Sequence, residues 1–351
     1  MVEKLKIGIT HGDINGIGYE IILKLLVDYG INELFIPVIY GSSKVAAYYR
    51  KLLNMEGSGL NFNIIGSPDD ANPKRANLKN VISDNIKVEA GIPTVESGKS
   101  SLQALEAAVG DLKQGKLDAL VTCPVSKSNT FSENHAFPGH TEYLAKQFDC
   151  DKYMMLMVNE SIKIGFVTGH IPVDQIAKSI TKSLIVEKLQ IMKRSMTYDF
   201  GIRAPRIAVL ALNPHCGDNG VTGNEEKTII RPAIDQARDC GMLAFGPYPA
   251  DGFFATDMFS KFDAVLAMYH DQGMIPFKSI QTGHGVNFTA GLPIVRTSPA
   301  HGTAFDIAGK GEASHVSLRE AIFLACDVRR CRDVREETGN NSLGKQDFTS
   351  Y

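Results

Sequence analysis

Short apolar runs alternate with longer segments of helical periodicity along most of the chain. Strands are predicted at residues 5–10, 35–40, 119–121, 153–158, 162–167, 207–212 and 264–268, with a short strand and turn over 244–251. Between them the spacing predicts helices over 19–27, 42–53, 97–112, 142–147, 172–177, 183–196 and 316–330. In the third of these, Leu102, Leu105, Ala108, Val109 and Leu112 fall close to one helical face. The runs 153–158 and 162–167 flank the polar turn Asn159, Glu160 and Ser161, a hairpin signal, so the sheet is expected to be mixed. Residues 54–89 are polar and irregular and read as a peripheral elaboration, with strand-like pieces at 62–65 and 86–88. Further strand-like pieces lie at 282–287 and 292–296, and 298–313 reads as a loop with a short helix. Residues 335–351 lack apolar periodicity and are expected to form a frayed tail. No internal repeat is visible.

At 351 residues the chain can bury a large core, in one or two domains. A formal net charge of −2 argues against a protein devoted to nucleic acid or to anionic membrane. No apolar run is long enough to span a bilayer, and the first residues enter a strand without an apolar leader, so a cytoplasmic protein is expected. The six cysteines form no C-x-x-C pair or dense framework, and reduced thiols are the expectation. Cys216, beside His215, reads as a small buried or half-buried thiol rather than a ligand.

The chemistry gathers where apolar runs end. Residues 264–268 lead into His270, Asp271, Gly273, Pro276 and Lys278. The run 162–167 leads into Thr168, Gly169 and His170, and 207–212 into Asn213, Pro214 and His215. In open α/β sheets ligands bind outside the carboxyl ends of strands. Gaps of 45 and 55 residues between these histidines exclude a local finger motif and suit a divalent site built from distant strands. Neutral imidazoles favour zinc without excluding other divalent ions. The run 119–121 is expected to bring Pro124, Ser126 and Lys127 to the same sheet edge.

Gly12, Gly16 and Gly18 make a strand-to-helix turn that could cradle phosphate or simply turn tightly. Their G-x-x-x-G-x-G spacing lacks the dinucleotide fingerprint and favours the tight turn, with Asp13 and Asn15 left to face the cleft. His140 and Thr141 sit at a helix start, where an anion is favoured; an N-capping Thr141 and a surface His140 are the plainer readings. Lys278, Arg296, Lys127, His140 and Asn287 form a cationic, polar set, and Arg296 could hold a carboxylate or phosphate in two bonds. The residues alone reach a metal-dependent α/β enzyme acting on a small anionic substrate.

The motifs THGDINGIGYE, TCPVSKS, FPGHTEYLA, TGHIPV, ALNPHCGDNG, GPYPADGFF, MYHDQGMIPFK and GVNFTAGLPIVRTSPAHGTAFDIAGKG, in this order over residues 4–330, resemble the 4-hydroxythreonine-4-phosphate dehydrogenase family of pyridoxal phosphate biosynthesis. The segment HGTAFDIAGKG is also similar to the NAD-binding loop of isopropylmalate and isocitrate dehydrogenases.

The resemblance implies their two-domain α/β fold, with mixed sheets flanked by helices and the active site in the interdomain cleft. A nucleotide-binding domain is expected over 1–125 plus 297–335, and a metal, substrate and dimerisation domain over 126–296, with 336–351 as tail. It places metal ligands on His170, His215 and His270, and substrate contacts on His140, Thr141, Lys278, Asn287 and Arg296. His301, Gly302, Thr303, Asp306 and Gly309 fall in the NAD (or NADP) loop. It also implies a homodimer whose subunits share each metal site, with zinc, magnesium or cobalt as the ion. The implied reaction is oxidation of the 3-hydroxyl of 4-phosphooxy-L-threonine, then loss of carbon dioxide. The metal is expected to hold the hydroxyl and the amine, and Lys278, Asp251 and Asp271 are candidate proton acceptors. Tyr19 and Cys123 depart from the family's usual Pro and Gly, and both are expected near the cleft. Rival readings are a dehydrogenase of 4-phospho-D-threonate or 4-phospho-D-erythronate, an enzyme for aromatic cis-dihydrodiols, and a non-catalytic metal- or phosphate-binding protein.

Overall fold

The computed structural model describes residues 4–130, 139–280 and 285–340. Its spine is one continuous twelve-stranded mixed sheet, ordered β3-β4-β2-β1-β5-β12-β11-β6-β7-β10-β8-β9. One half holds β1 (Lys6–Thr10), β2 (Ile36–Gly41), β3 (Asn63–Ile65), β4 (Asn77–Asn80), β5 (Ala119–Thr122) and β12 (Arg296–Pro299), all parallel where paired. The other holds β6 (Met154–Val158), β7 (Lys163–Phe166), β8 (Arg206–Leu210), β9 (Leu243–Tyr248), β10 (Ala264–Ala267) and β11 (Val286–Ala290). The expected β6–β7 hairpin is present, and Asn159 builds its turn by accepting from the amides of Ser161 and Ile162. Helices α1 (Gly18–Leu26), α2 (Ser43–Leu52), α3 (Val95–Lys113), α4 (Lys127–Thr130), α5 (His140–Gln147), α6 (Ile176–Ser179), α7 (Lys182–Tyr198), α8 (Arg231–Asp239), α9 (Ala250–Ala255), α10 (His270–Ile280) and α11 (Val316–Asn340) accompany the sheet. Among the described residues no helix is long and apolar enough to cross a membrane.

Several expectations are corrected. Residues 54–89 do not stand apart, because β3 and β4 extend the main sheet, and no strand forms at 86–88. β4 reads NLKN and carries almost no apolar signal; Asn77 is fully buried and donates to the carbonyls of Pro37, Asn72 and Arg75. The pieces expected at 282–287 and 292–296 become β11 and β12, shifted toward the C-terminus by the turn at Gly291 (φ 95°). Residues 281–284 lie outside the described residues. The segment 298–313 holds turns and no helix. The closing helix runs on to Asn340, so residues 335–340 are helical rather than frayed, while 341–351 lie outside the described residues.

The sheet reverses across its middle. β12 pairs antiparallel with β11, β11 with β6, and β6 with β7, so β5 runs opposite to β7, β10 and β8. The carboxyl end of β5, with Pro124, therefore does not share a sheet edge with the three histidine-bearing strand ends.

The glycine turn after β1 is a packing device. A Cβ on Gly12 would lie 2.3 Å from the Pro124 carbonyl oxygen, and one on Gly18 would lie 1.9 Å from that of His11. Asp13 and Asn15 point inward, correcting the expectation that they face the cleft. Asp13 accepts from Ser97 Oγ, Asn129 Nδ2 and the Asn15 amide, and Asn15 Nδ2 donates to the Ile92 carbonyl. Tyr19 is likewise buried, stacked between the rings of His11 and Tyr49, and its hydroxyl accepts from the Ser42 amide.

His11 is fully buried, and burial pulls its pKa down to about 4 against a smaller opposing effect of the Gly12 backbone. Below its unfolded value of about 6.5 the unfolded chain binds the proton and the folded chain does not. Stability is thus expected to fall as pH drops from 6.5 toward about 4, by on the order of 3 kcal/mol from this group. Unfolding free energies measured across that range for the parent and His11→Gln should diverge. Parallel pH curves would contradict this origin.

Candidate active site

A cleft of 380 Å³ lies across the sheet face at this reversal. Its floor follows from register. Asn287 on β11 stands opposite Ser298 on β12 and Met157 on β6, and one pleat away Thr289 stands opposite Met155. Alternation puts these side chains on one face. Arg296 joins them from β12, only 3 % exposed. Its Nε and Nη2 donate to Thr122 Oγ1 at 3.1 and 2.6 Å, and its Nη1 donates to Thr289 Oγ1 at 3.2 Å. No carboxylate among the described residues bonds this guanidinium. Burial lowers its pKa to about 10, and the nearby Glu142 carboxylate opposes that fall. A buried cation held only by hydroxyls is costly until an anion arrives. Thr122 and Thr289 were not singled out from sequence, since nothing in a lone threonine marks it as a guanidinium rest.

The wall opposite comes from α5. Gly139 caps this helix, so His140 and Thr141 occupy its first turn, and Thr141 is not the N-cap. Both line the cleft, as do Lys278, Asn287 and Arg296; the sequence-predicted substrate set therefore converges. Asn287 Oδ1 is buried without a partner. The Lys127 side chain lies outside the described residues. Cys123 is buried at the cleft margin, where burial pushes its thiol pKa up, and Tyr19 is not among the lining residues.

His170 and His270 close one end of the cleft, following β7 and β10, with ring centroids 4.9 Å apart. Residues 270–280 form α10, which the sequence did not suggest because Gly273 and Pro276 interrupt its pattern. Gly273 is required there, since a Cβ would lie 2.7 Å from both Ile164 and Phe166. His270 Nδ1 is 2.7 Å from Asp271 Oδ1, which leaves Nε2 for a ligand.

His215 follows the neighbouring strand β8 but does not line this cleft. It opens a turn in which His215, Cys216, Gly217, Asp218 and Asn219 all have positive φ. Glu226 pins the base of that turn: Oε1 accepts from the amides of Leu212 and Asn213 at 2.8 and 2.7 Å, and Oε2 from Asn213 Nδ2. Nothing in the sequence marks Glu226 for this task, since a glutamate in a first helical turn is already accounted for by the helix dipole. Among the described residues of one chain, no group of three His, Cys, Asp or Glu side chains is arranged to hold a metal ion. Of the three proposed donors, His170 and His270 stand side by side here, and His215 stands outside their cleft. Asp251, exposed on α9, also lies away from the cleft.

A second cavity of 570 Å³ shares Lys278, Ala300, His301 and Gly302 with the cleft and is otherwise lined by Ile17, Ala304, Ile307 and Ala313 among others. His301 Nε2 is buried there without a partner, and burial lowers its pKa. A Cβ on Gly302 would meet nothing within 4 Å. Thr303, Asp306 and Gly309 do not line the cavity. Gly309 serves the loop itself: its amide, with that of Ala313, donates to the buried Glu20 carboxylate, while Lys24 bonds the Gly311 and Ala313 carbonyls.

A mixed α/β sheet carrying a buried, unpaired arginine, paired imidazoles and an adjoining half-apolar cavity defines an enzyme for a small anionic substrate. The chain belongs to the family described as "Pyridoxal phosphate biosynthetic protein PdxA", whose model matches residues 33–325. It is 50% identical over 345 residues to a 4-hydroxythreonine-4-phosphate dehydrogenase of Bacteroides thetaiotaomicron, covering 98% of this chain and 94% of that one. A relative of the same name from Sulfurihydrogenibium is 40% identical over 93% of this chain and 99% of its own. The crystal structure of the enzyme so named from Klebsiella pneumoniae superposes with a TM-score of 0.80 at 34% identity, covering 93% of this chain and 98% of that one.

Proposed function

We propose that this chain oxidises the 3-hydroxyl of 4-phosphooxy-L-threonine with NAD or NADP, giving 2-amino-3-oxo-4-phosphooxybutanoate, which decarboxylates to 3-amino-2-oxopropyl phosphate. The family and the names of its relatives support the reaction. The observation that carries it to these residues is Arg296, a buried cation awaiting an anion beside His170 and His270. We assign the substrate carboxylate to Arg296 and the phosphate to the first turn of α5, with Asn287 orienting the chain between them.

A divalent ion, zinc in our reading with magnesium or cobalt as alternatives, would be held by His170, His215 and His270 and would supply Lewis acidity to the hydroxyl. Asp271 fixes the His270 ring. Lys278 faces both cavities, so it is placed to take the hydroxyl proton, and a nicotinamide nucleotide held in the second cavity would supply the hydride acceptor. Asp271 is engaged with His270 and Asp251 lies outside the cleft, which ranks Lys278 first. The new ketone then accepts the electron pair left as carbon dioxide departs. His301 and Gly302 would hold the nicotinamide nucleotide, and Thr303, Asp306 and Gly309 belong to the loop that carries them.

The same reading makes the enzyme a cytoplasmic homodimer with shared sites. Val173, Val221 and Ile275 are 84, 80 and 66% exposed, one shortly after each metal-binding histidine. Apolar side chains left bare around an incomplete site suit burial against a second copy. We also retain the division into domains 1–125 plus 297–335 and 126–296, which parts the sheet between β12 and β11. Metal-dependent NADH formation from 4-phosphooxy-L-threonine tests the activity.

A further inference from the structure

The three histidines each stand a few residues beyond a strand, and those strands are neighbours in the order β7-β10-β8. The backbone ladders stop short of the histidines. The β10–β7 register ends at Ala267 opposite Phe166, and the β10–β8 register at Leu266 opposite Val209. Past that point Ala211 continues along β9, its amide donating to the Tyr248 carbonyl. Met268 and Ala211 are buried, so their remaining backbone groups need partners that water does not supply. Two side chains supply them. Gln272, in the first turn of α10, accepts from the Met268 amide with Oε1 at 2.7 Å and donates from Nε2 to the Ala211 carbonyl at 2.6 Å. Its amide thus stands between β10 and β8 as a peptide group would, two residues after His270. Thr168, two residues before His170, donates from Oγ1 to the Met268 carbonyl at 2.8 Å, alongside its own backbone amide at 3.1 Å. Met268 in turn lies two residues before His270, so one residue gathers the bonds from both sides.

We propose that Gln272 and Thr168 are positioning residues for the metal site, splicing the three strand ends so that their imidazoles are presented at a fixed spacing. This rests on the metal site proposed above. His170 and His270 suit a cation, with ring centroids 4.9 Å apart and the His270 Nδ1–Asp271 contact leaving Nε2 available. Thr168 sets His170 against His270 within that pair. Gln272 sets the offset between the pair and the His215 turn. In a shared site it therefore fixes where a subunit delivers His215 to its partner relative to its own pair. An ion is held tightly when its ligands stand near their bound geometry before it arrives, and losing an outer hydrogen bond that orients a ligand costs about 10–100-fold in affinity.

The test is cobalt(II) binding to the full-length protein without substrate or NAD, titrated against a competing chelator and followed by the visible absorption of the bound ion. Thr168→Val and Gln272→Glu keep the side-chain size. The first removes the hydroxyl; the second keeps the acceptor for Met268 and loses the donor to Ala211. Each is expected to weaken cobalt binding by about 10–100-fold and to alter the absorption band, while Thr168→Ser, which keeps the hydroxyl, binds within about threefold of the parent. Circular dichroism and thermal melting of the metal-free proteins separate placement of the ligands from folding. Variants that melt lower yet bind cobalt as the parent does would show that the two side chains only satisfy backbone groups, and would overturn the proposal. A Thr168→Ser protein as weak as Thr168→Val would overturn it too. If one variant fails to fold, the other decides alone. A parent that binds no cobalt overturns the metal site itself and the proposal with it, whereas a parent and variants that bind equally overturn the proposal alone.

Discussion

Protein carrying His215→Ala and protein carrying His270→Ala are each expected to be inactive, and co-assembly of the two is expected to restore turnover. His170 and His270 meet in one chain, whereas His215 stands in a separate turn outside their cleft. The shared site proposed above takes its third imidazole from a partner subunit. Loss of either histidine opens the site and should lower kcat by about three orders of magnitude or more, with folding retained because both follow strand ends. In a mixed dimer one of the two sites keeps both histidines and the other has neither. Random mixing should therefore give about a quarter of parental turnover. Bound metal, measured by elemental analysis, should rise in the same proportion. Absence of recovery in verified heterodimers would mean that one chain builds its own site.

Arg296→Ala is expected to raise KM for the substrate by about 30- to 1,000-fold, equivalent to about 2–4 kcal/mol, and to move KM for NAD by less than about twofold. The guanidinium has already given three hydrogen bonds to Thr122 and Thr289, which fixes its plane and leaves its remaining donors for the ligand. Arg296→Lys should recover little, since one ammonium cannot hold both hydroxyls and the anion. Steady-state kinetics with each substrate varied in turn check this. Equal losses for substrate and NAD would place the anion that Arg296 holds on the cofactor.

The three histidines were legible because each ends an apolar run long enough to be read as a strand. The glycine turn was legible as packing because its spacing lacked a dinucleotide fingerprint. What the sequence hid has physical causes. β4 is held by the hydrogen bonds of Asn77 rather than by apolar burial, so its polar letters looked like loop. The end of α11 is polar because much of it faces solvent, and polarity there passed for disorder. Three successive antiparallel pairings turn half the sheet over, and no local signal reports that; it moved the cleft from a shared strand edge to the sheet face. Glu142, Glu226 and Glu20 were overlooked because a single glutamate at a helix start has a sufficient explanation in the helix dipole. Only the fold shows that the first faces a cleft, the second pins the His215 turn and the third holds the loop of His301.

The central claim is that this site oxidises a phosphorylated amino acid with a nicotinamide cofactor and a metal. It is tested most directly by absorbance at 340 nm with 4-phosphooxy-L-threonine and 4-phospho-D-threonate side by side. Each is run after chelation and again with divalent metal restored. The account predicts NADH formation that prefers the L-amino acid, stops on chelation and returns with metal. Preference for the hydroxy acid, or undiminished activity without metal, would contradict it.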